Sequence, residues 1–352
     1  MRIRQEKTID RCRFCFMCRH VCSVARVTHE ESVTPRSQGL VMSLINRDAA
    51  TPEPDVIKNI YDCTQCRWCR EWCEGGWDFS ACIVAAREAL REENLVPAAV
   101  RDRIDRLAGQ PRPEAQQTET LILAEPTWVD GAAAQTGQAE AILSRAGIAC
   151  AAATAPSPVF ALYALGARAE ATASLSHLIS AIRDSGCRTV VALSPADVFA
   201  LRELPAILDV TALPESMTVI SWADQVQTLI QSKRLAPKPV AAAFTWHDDD
   251  FSARYTHETA ALPAILKLIP EATVADPTWK GNHARSSGGA SCGCSDPAII
   301  AKLAGQRLFE LQATGAKRII TATADDAALL AGSAPASVSV ETLSELAASW
   351  IL

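Results

Sequence analysis

Two copies of one cysteine spacing constrain this chain more than any other feature of it. Cys12, Cys15, Cys18 and Cys22 read C-x2-C-x2-C-x3-C, and Cys63, Cys66, Cys69 and Cys73 repeat the pattern. Three thiolates at x2 spacing wrap a turning loop around three corners of a metal cluster and leave the fourth corner open. In two-cluster iron–sulfur proteins the fourth cysteine of each run crosses to the other cluster. The spacing therefore predicts two [4Fe–4S] clusters, one held by Cys12, Cys15, Cys18 and Cys73, the other by Cys63, Cys66, Cys69 and Cys22. The crossing would tie both runs into one compact unit whose chemistry is one-electron transfer.

A pair of four-cysteine zinc sites is the competing reading, since tetrahedral sulfur suits both metals. Zinc sites normally use two C-x2-C pairs, so a third x2 step and an x3 partner would be superfluous. Disulfides fit less well: no secretory signal opens the chain, and thirteen cysteines would leave one unpaired. The runs depart from the bacterial ferredoxin pattern at one place. Ser23 and Glu74 follow the fourth cysteines where proline is usual, which removes a turn-former and no ligand. Arg11, Arg13, Arg19, His20, Arg67 and Arg70 surround the runs. They either raise the cluster potentials or form a solvated, partner-facing surface. Trp68, Trp72 and Trp77 read as packing residues first.

At 352 residues the chain has length for two or three domains. Its 49% hydrophobic and 21% charged residues describe an ordinary globular protein, and a net charge of −6 argues against a general nucleic-acid role. No apolar run reaches transmembrane length; the nearest, 146–167, is interrupted by Pro156 and Pro158. Cysteine usage fits a reducing cytoplasm, with any membrane association made through partners.

Residues 1–110 hold both runs and a helical stretch from Ser80 to about Leu107, restarted at Pro97. Cys82 falls within that stretch and reads as a small core residue. The polar segment Gly109 to Thr120 is a linker. Beyond it short apolar strands alternate with helices, the pattern of parallel α/β layers. Ser185–Ser194 and Thr314–Thr323 share one arrangement: a glycine ends a helix, a basic residue follows, and a β-branched strand begins. The opening strands Leu121–Ala124 and Ala241–Phe244 also correspond. The expected fold is α+β and multidomain. An α-helical dicluster ferredoxin domain (1–110) precedes two duplicated α/β units (111–236 and 237–352), joined near Gln231–Pro239.

This organisation resembles the iron–sulfur subunit family of heterodisulfide reductase, glycolate oxidase and anaerobic glycerol-3-phosphate dehydrogenase, over nearly the whole chain. The resemblance implies that each α/β unit is a Cys-Cys-Gly-type domain, with one cysteine early, a Cys-Cys-Gly in the middle and a late C-x2-C. Here that set is degenerate. His247-Asp248-Asp249-Asp250 stands at the early position of the second unit, Ser291-Cys292-Gly293 at the middle, and Thr323-Ala324-Asp325-Asp326 at the late one. In the first unit the middle lies near Ser157-Pro158, and Ser194-Pro195-Ala196-Asp197 stands at the late position.

The resemblance thus implies an electron-transfer subunit of an oxidoreductase complex with no catalytic residue of its own. It would relay electrons from a flavoprotein dehydrogenase carrying FAD or FMN, whose substrate is a 2-hydroxy acid, glycerol 3-phosphate or an N-methylated amine. The acceptor would be an electron-transfer flavoprotein, a quinone-linked partner or another carrier. The alternative is a heterodisulfide-reductase-like enzyme using Cys292 and Cys294 as a thiol pair, or as metal ligands with His247 or His283. The glycine-rich loop Ser286–Cys294 could cradle an anion, but reads first as a tight loop. The acidic run Asp248–Asp250 reads as a solvated turn.

Overall fold

The structure, a computed structural model, describes residues 1–130, 132, 135–293 and 295–351. The first 108 residues are helical. Short helices Met17–Val21, Ser23–Thr28 and Trp68–Glu71 carry the cysteine runs, and Pro35–Asn46, Pro54–Asp62, Phe79–Glu92 and Ala98–Ala108 brace them. Local chemistry sets these starts. The Thr34 side chain accepts the Ser37 N–H at 3.3 Å, and Pro35 takes the first helical position, where its missing N–H is not needed. Asp78 caps Phe79–Glu92 by accepting the Ala81 N–H at 3.1 Å. Pro97 caps Ala98–Ala108 instead of beginning it, a shift of one residue.

Two four-stranded parallel sheets follow. In the first, β1 (Thr120–Leu123), β2 (Cys150–Ala152), β3 (Thr189–Ala192) and β4 (Thr218–Ser221) lie in the order β2-β1-β3-β4. In the second, β5 (Ala243–His247), β6 (Thr273–Val274), β7 (Arg318–Thr321) and β8 (Ser339–Thr342) lie in the order β6-β5-β7-β8. The second sheet opens at Ala243, two residues later than the sequence pattern placed it. Leu121 pairs with Ala151 and Val190, and Trp246 with Ile320. The central strands are buried on both faces, as helices covering a parallel sheet require. Gly186 and Gly315, at φ 66 and 80, end helices Arg168–Asp184 and Pro297–Gln312 in the left-handed conformation.

The two sheets share a core instead of standing apart. Helix Thr136–Arg145 packs on Leu343–Ile351, and Trp222–Gln231 packs on Ala261–Lys267. Ile142, Leu143, Val226, Leu266, Leu346 and Trp350 belong to that one buried cluster. The N-terminal helices likewise merge with the first sheet's outer helices, because Ile83 and Leu90 sit in the same core as Val159, Leu162 and Leu175.

At that second junction the backbones nearly touch. Gly166 has φ +78, and a Cβ there would stand 2.6 Å from the backbone of Arg87 and Glu88. Gly166→Ala therefore meets both left-handed strain and overpacking, and is expected to destabilise the fold by about 2–5 kcal/mol, read from chemical denaturation.

Candidate iron–sulfur centre

The two cysteine runs fold alike. In each, the second residue after the first cysteine takes a left-handed conformation: Phe14 at φ 52 and Gln65 at φ 58. That turn aims its own N–H back at the first sulfur. Phe14 N donates to Cys12 Sγ at 3.4 Å, and the Gln65 N–H faces the Cys63 sulfur. In each run a short helix then begins one residue before the third cysteine, at Met17 and at Trp68.

The thiols fall into two groups. The electrostatic neighbours of Cys12 are Cys15 and Cys73, and those of Cys18 are Cys12 and Cys15. Cys22 instead faces Cys66 and Cys63, and Cys69 faces those two first, then Cys22, and last Cys18 of the other group. Cys22, Cys63, Cys66 and Cys69 line one small pocket together with Val24, Val33, Pro35 and Phe79. This donor set, four thiols spread around a wall and not drawn to a point, fits a cubane with four separate irons.

Burial pushes the Cys18 and Cys63 thiols up to about 11 and raises Cys12, Cys22 and Cys69 as well. Loading iron must therefore displace protons. Backbone N–H groups lean the other way: Arg36 toward Cys18, Ala25 and Val24 toward Cys22, and Trp77 N to Cys73 Sγ at 3.4 Å. Ser23 Oγ lies 3.3 Å from Cys66 Sγ. Donors aimed at sulfur withdraw negative charge from a bound cluster and raise its potential.

The second run is fastened from three sides. Arg87, fully buried on helix Phe79–Glu92, donates to the carbonyls of Cys63 at 2.8 Å, Ile60 at 2.9 Å and Ala164 at 2.7 Å. Tyr255 Oη donates to the Gln65 carbonyl at 2.6 Å, and Arg254 Nε to the Cys66 carbonyl at 2.5 Å. The buried Arg67 guanidinium stands 3.8 Å from the Tyr255 ring centre and 4.9 Å from that of Phe199. Trp68 is buried edge-on to Trp279, Trp72 meets His283, and Trp77 packs on Phe79 and Gly39. These three are packing residues, as the sequence reading had them. Cys82 is likewise a buried core residue. The first run, by contrast, exposes Cys15.

The acidic run after β5 is not a solvated turn. Asp248, Asp249 and Asp250 are all buried, because the carboxyl ends of the two sheets face each other across them. Each has local donors: Trp246 Nε1 and Gly281 N for Asp248, Phe251 N and Ser252 N for Asp249, and Ser286 Oγ with Arg254 for Asp250. From the first unit Glu125 accepts the Ala324 N–H at 2.9 Å, and Asp325 in turn accepts the N–H groups of Trp128 and Val129. Asp326 is held by Ser287 and Thr323. His247 Nδ1 accepts from Arg307 Nε at 3.1 Å, which leaves the proton on Nε2, 3.7 Å from Asp326.

Sequence reasoning named most of these positions as empty ligand sites but missed Glu125 and the clamping arginines, whose partners are distant in the chain. The structure does not assemble a metal set from Cys292, His247 and His283. His247 is engaged by Arg307, His283 lies against Trp72, and Cys292 is buried with Sγ 3.6 Å from the Ala290 carbonyl. Cys294 lies outside the described residues. Among the described residues no three His, Cys, Asp or Glu side chains gather as a single-ion site.

Burial lifts Asp325 to about 7, and burial with the neighbouring Asp326 lifts Asp249 to about 6; Glu125 and Asp197 rise well above the carboxylate range. Asp326 moves the other way: burial opposes its charge, but His247, Ser287 and Thr323 outweigh it. A carboxyl raised in the folded state loses stability as pH climbs from its unfolded value through its folded one. Asp325 alone is expected to remove about 1 kcal/mol between pH 6 and pH 8. Asp326, already ionised throughout that window, adds no slope. Chemical denaturation at the two pH values should show the decline, and Asp325→Asn should flatten it; an unchanged slope in that variant would refute the assignment.

A family model described as 4Fe-4S dicluster domain matches residues 8–77, which span both cysteine runs. No match was found among curated proteins. Among solved structures, a hypothetical protein from Helicobacter pylori aligns with a TM-score of 0.66 at 9% identity, over 89% of this chain and 67% of that one. At that identity the likeness shows a shared fold alone. A candidate Asp/Glu racemase from Yersinia pestis aligns over 65% of this chain and 95% of its own at 15% identity, but with a TM-score of 0.30. No helix among the described residues is long and apolar enough to cross a membrane. The chain is an iron–sulfur protein with a 4Fe-4S dicluster domain at its N-terminal end, followed by two parallel α/β sheets.

Proposed function

We propose that this chain is the electron-relay subunit of an oxidoreductase complex, with its two [4Fe–4S] clusters as its redox centres. One is held by Cys12, Cys15, Cys18 and Cys73, the other by Cys22, Cys63, Cys66 and Cys69. The observation that carries the reading is the division of eight thiols into two groups, with Cys22 and Cys73 exchanged between the runs. When bound, the clusters would supply one-electron chemistry; the chain's own residues hold them and turn N–H groups toward their sulfurs. A flavoprotein dehydrogenase carrying FAD or FMN would deliver electrons from a small substrate such as a 2-hydroxy acid, glycerol 3-phosphate or an N-methylated amine. An electron-transfer flavoprotein, a quinone-linked partner or another carrier would accept them.

Against a catalytic cluster of its own stands what fills the degenerate cysteine positions of the α/β units. In the second unit the early and late degenerate positions hold buried carboxylates, which already bond backbone N–H groups, hydroxyls and Arg254. The two α/β units are read as products of duplication, supported by their identical strand order and by the reciprocal helix pairs between them. Such reciprocity is what an approximate two-fold axis produces.

Iron and sulfide analysis with EPR tests the reading: two cubanes give eight irons per chain, while twelve would restore a catalytic third cluster. Cys22→Ser is expected to disturb the cluster of the second run and spare that of the first. Loss confined to the first cluster would overturn the crossed assignment.

A further inference from the structure

We infer that the first cysteine run is the electron port of this chain, and that it docks a redox protein whose own electron-bearing group is rimmed by carboxylates. The inference rests on the relay reading above and adds to it a face and a partner chemistry. Phe14, Phe16 and Met17 are 44%, 56% and 40% exposed, on both sides of the exposed ligand Cys15. Among the described residues the other exposed large apolar side chains, Leu40, Leu95, Ile207, Leu268 and Phe309, are scattered singly along the chain, and no other place gathers three within four residues.

The patch is held in shape. Phe14 sits in a left-handed turn, and its carbonyl accepts from Arg36 Nε at 3.1 Å. The Arg36 guanidinium also stands 4.7 Å from the Phe16 ring centre. An apolar patch kept ordered in water, directly over a cluster ligand, has the anatomy of an interface centre.

Its rim chooses the partner. Arg11, Arg13, Arg19 and His20 are all exposed around it, on a protein of net charge −6. Arg19 and Arg36 share Glu31, and Arg11 donates to the Gly75 carbonyl, whereas Arg13 makes no ion pair among the described residues. The opposing charges are Asp10, Glu31 and Glu74; Glu31 is taken up by Arg19 and Arg36, and Asp10 is held by Ser43 and Arg47. The rim is therefore a local inversion of the protein's charge. It would draw an acidic partner against the overall repulsion and orient it over the cluster. The second run offers no such face: Arg67 and Trp68 are buried, and the α/β units cover its loop.

The test uses the iron-loaded full chain and an acidic flavodoxin as probe. Calorimetry gives the dissociation constant at low and high salt, and stopped-flow mixing gives the rate of electron exchange. Arg13→Glu with Arg19→Glu is compared with Arg145→Glu and Arg188→Glu, exposed arginines of the first α/β unit, so that both doubles change the net charge equally. The port double is expected to weaken binding about tenfold at low salt and flatten the salt dependence, while the control double changes neither. Phe16→Ala should weaken binding with the salt dependence intact. Equal losses in the two doubles, salt-independent binding, no binding by the unaltered chain, or tighter binding of basic cytochrome c would each overturn the port. Iron is measured in every preparation. An iron-free chain would sink the relay reading itself; eight irons without charge-selective binding would sink only the port.

Discussion

Three backbone carbonyls in the loop from Cys63 to Cys69 point away from the sulfurs, and the rest of the architecture depends on how they are satisfied. A loop that turns its N–H groups inward to thiolates must send carbonyls outward, and buried carbonyls without donors are expensive. Arg87, Arg254 and Tyr255 supply those donors from a brace helix and from the second α/β unit. Arg87 also bonds the Ala164 carbonyl of the first unit, so one guanidinium joins the cluster loop to the sheet domains. The dicluster domain is therefore built into the α/β units, and its second cradle is completed by residues nearly two hundred positions away.

Across the facing carboxyl ends of the sheets, carboxylates sit at the positions where the resemblance drawn from the sequence leads one to expect cysteines. Strand carboxyl ends at a point of topological reversal are where open α/β sheets form their sites. Here β5 and β7 meet at that point, and the residues leaving them bond their own helix starts, the segment 281–287 and the loop of the first unit. Some valence remains: Glu125 Oε2, both oxygens of Asp197, Asp249 Oδ2 and His247 Nε2 have no hydrogen-bond partner among the described residues. Retained protons ease that deficit, which is why burial holds Glu125 and Asp197 toward their neutral forms.

What could be read from the sequence was what is decided locally. Cluster-ligand spacing is a matter of a few bonds, so the two runs announced themselves. The glycine stops at 186 and 315 act within one turn and were equally visible. The acidic run after β5 was misread because three charges in a row are ordinarily solvated. Only the arrival of Glu125, Ser286 and Asp326 from other parts of the chain buries them. Arg87 and Arg254 carry no local mark either, since an arginine that clamps distant carbonyls looks the same in sequence as one on the surface.

The rigid setting of the second cradle bears on the speed of electron transfer as well as on stability. Adding one electron to a centre forces nearby dipoles and water to readjust, and that readjustment is a large part of the activation barrier. Around Cys22, Cys63, Cys66 and Cys69 the walls include Val24, Val33, Pro35 and Phe79, the carbonyls are pinned by arginine and tyrosine, and the bracing helices share a core with the first sheet. Little there can move. A cluster bound in such a setting would have a small reorganisation energy, so under the proposed relay it would gain and lose an electron with little driving force.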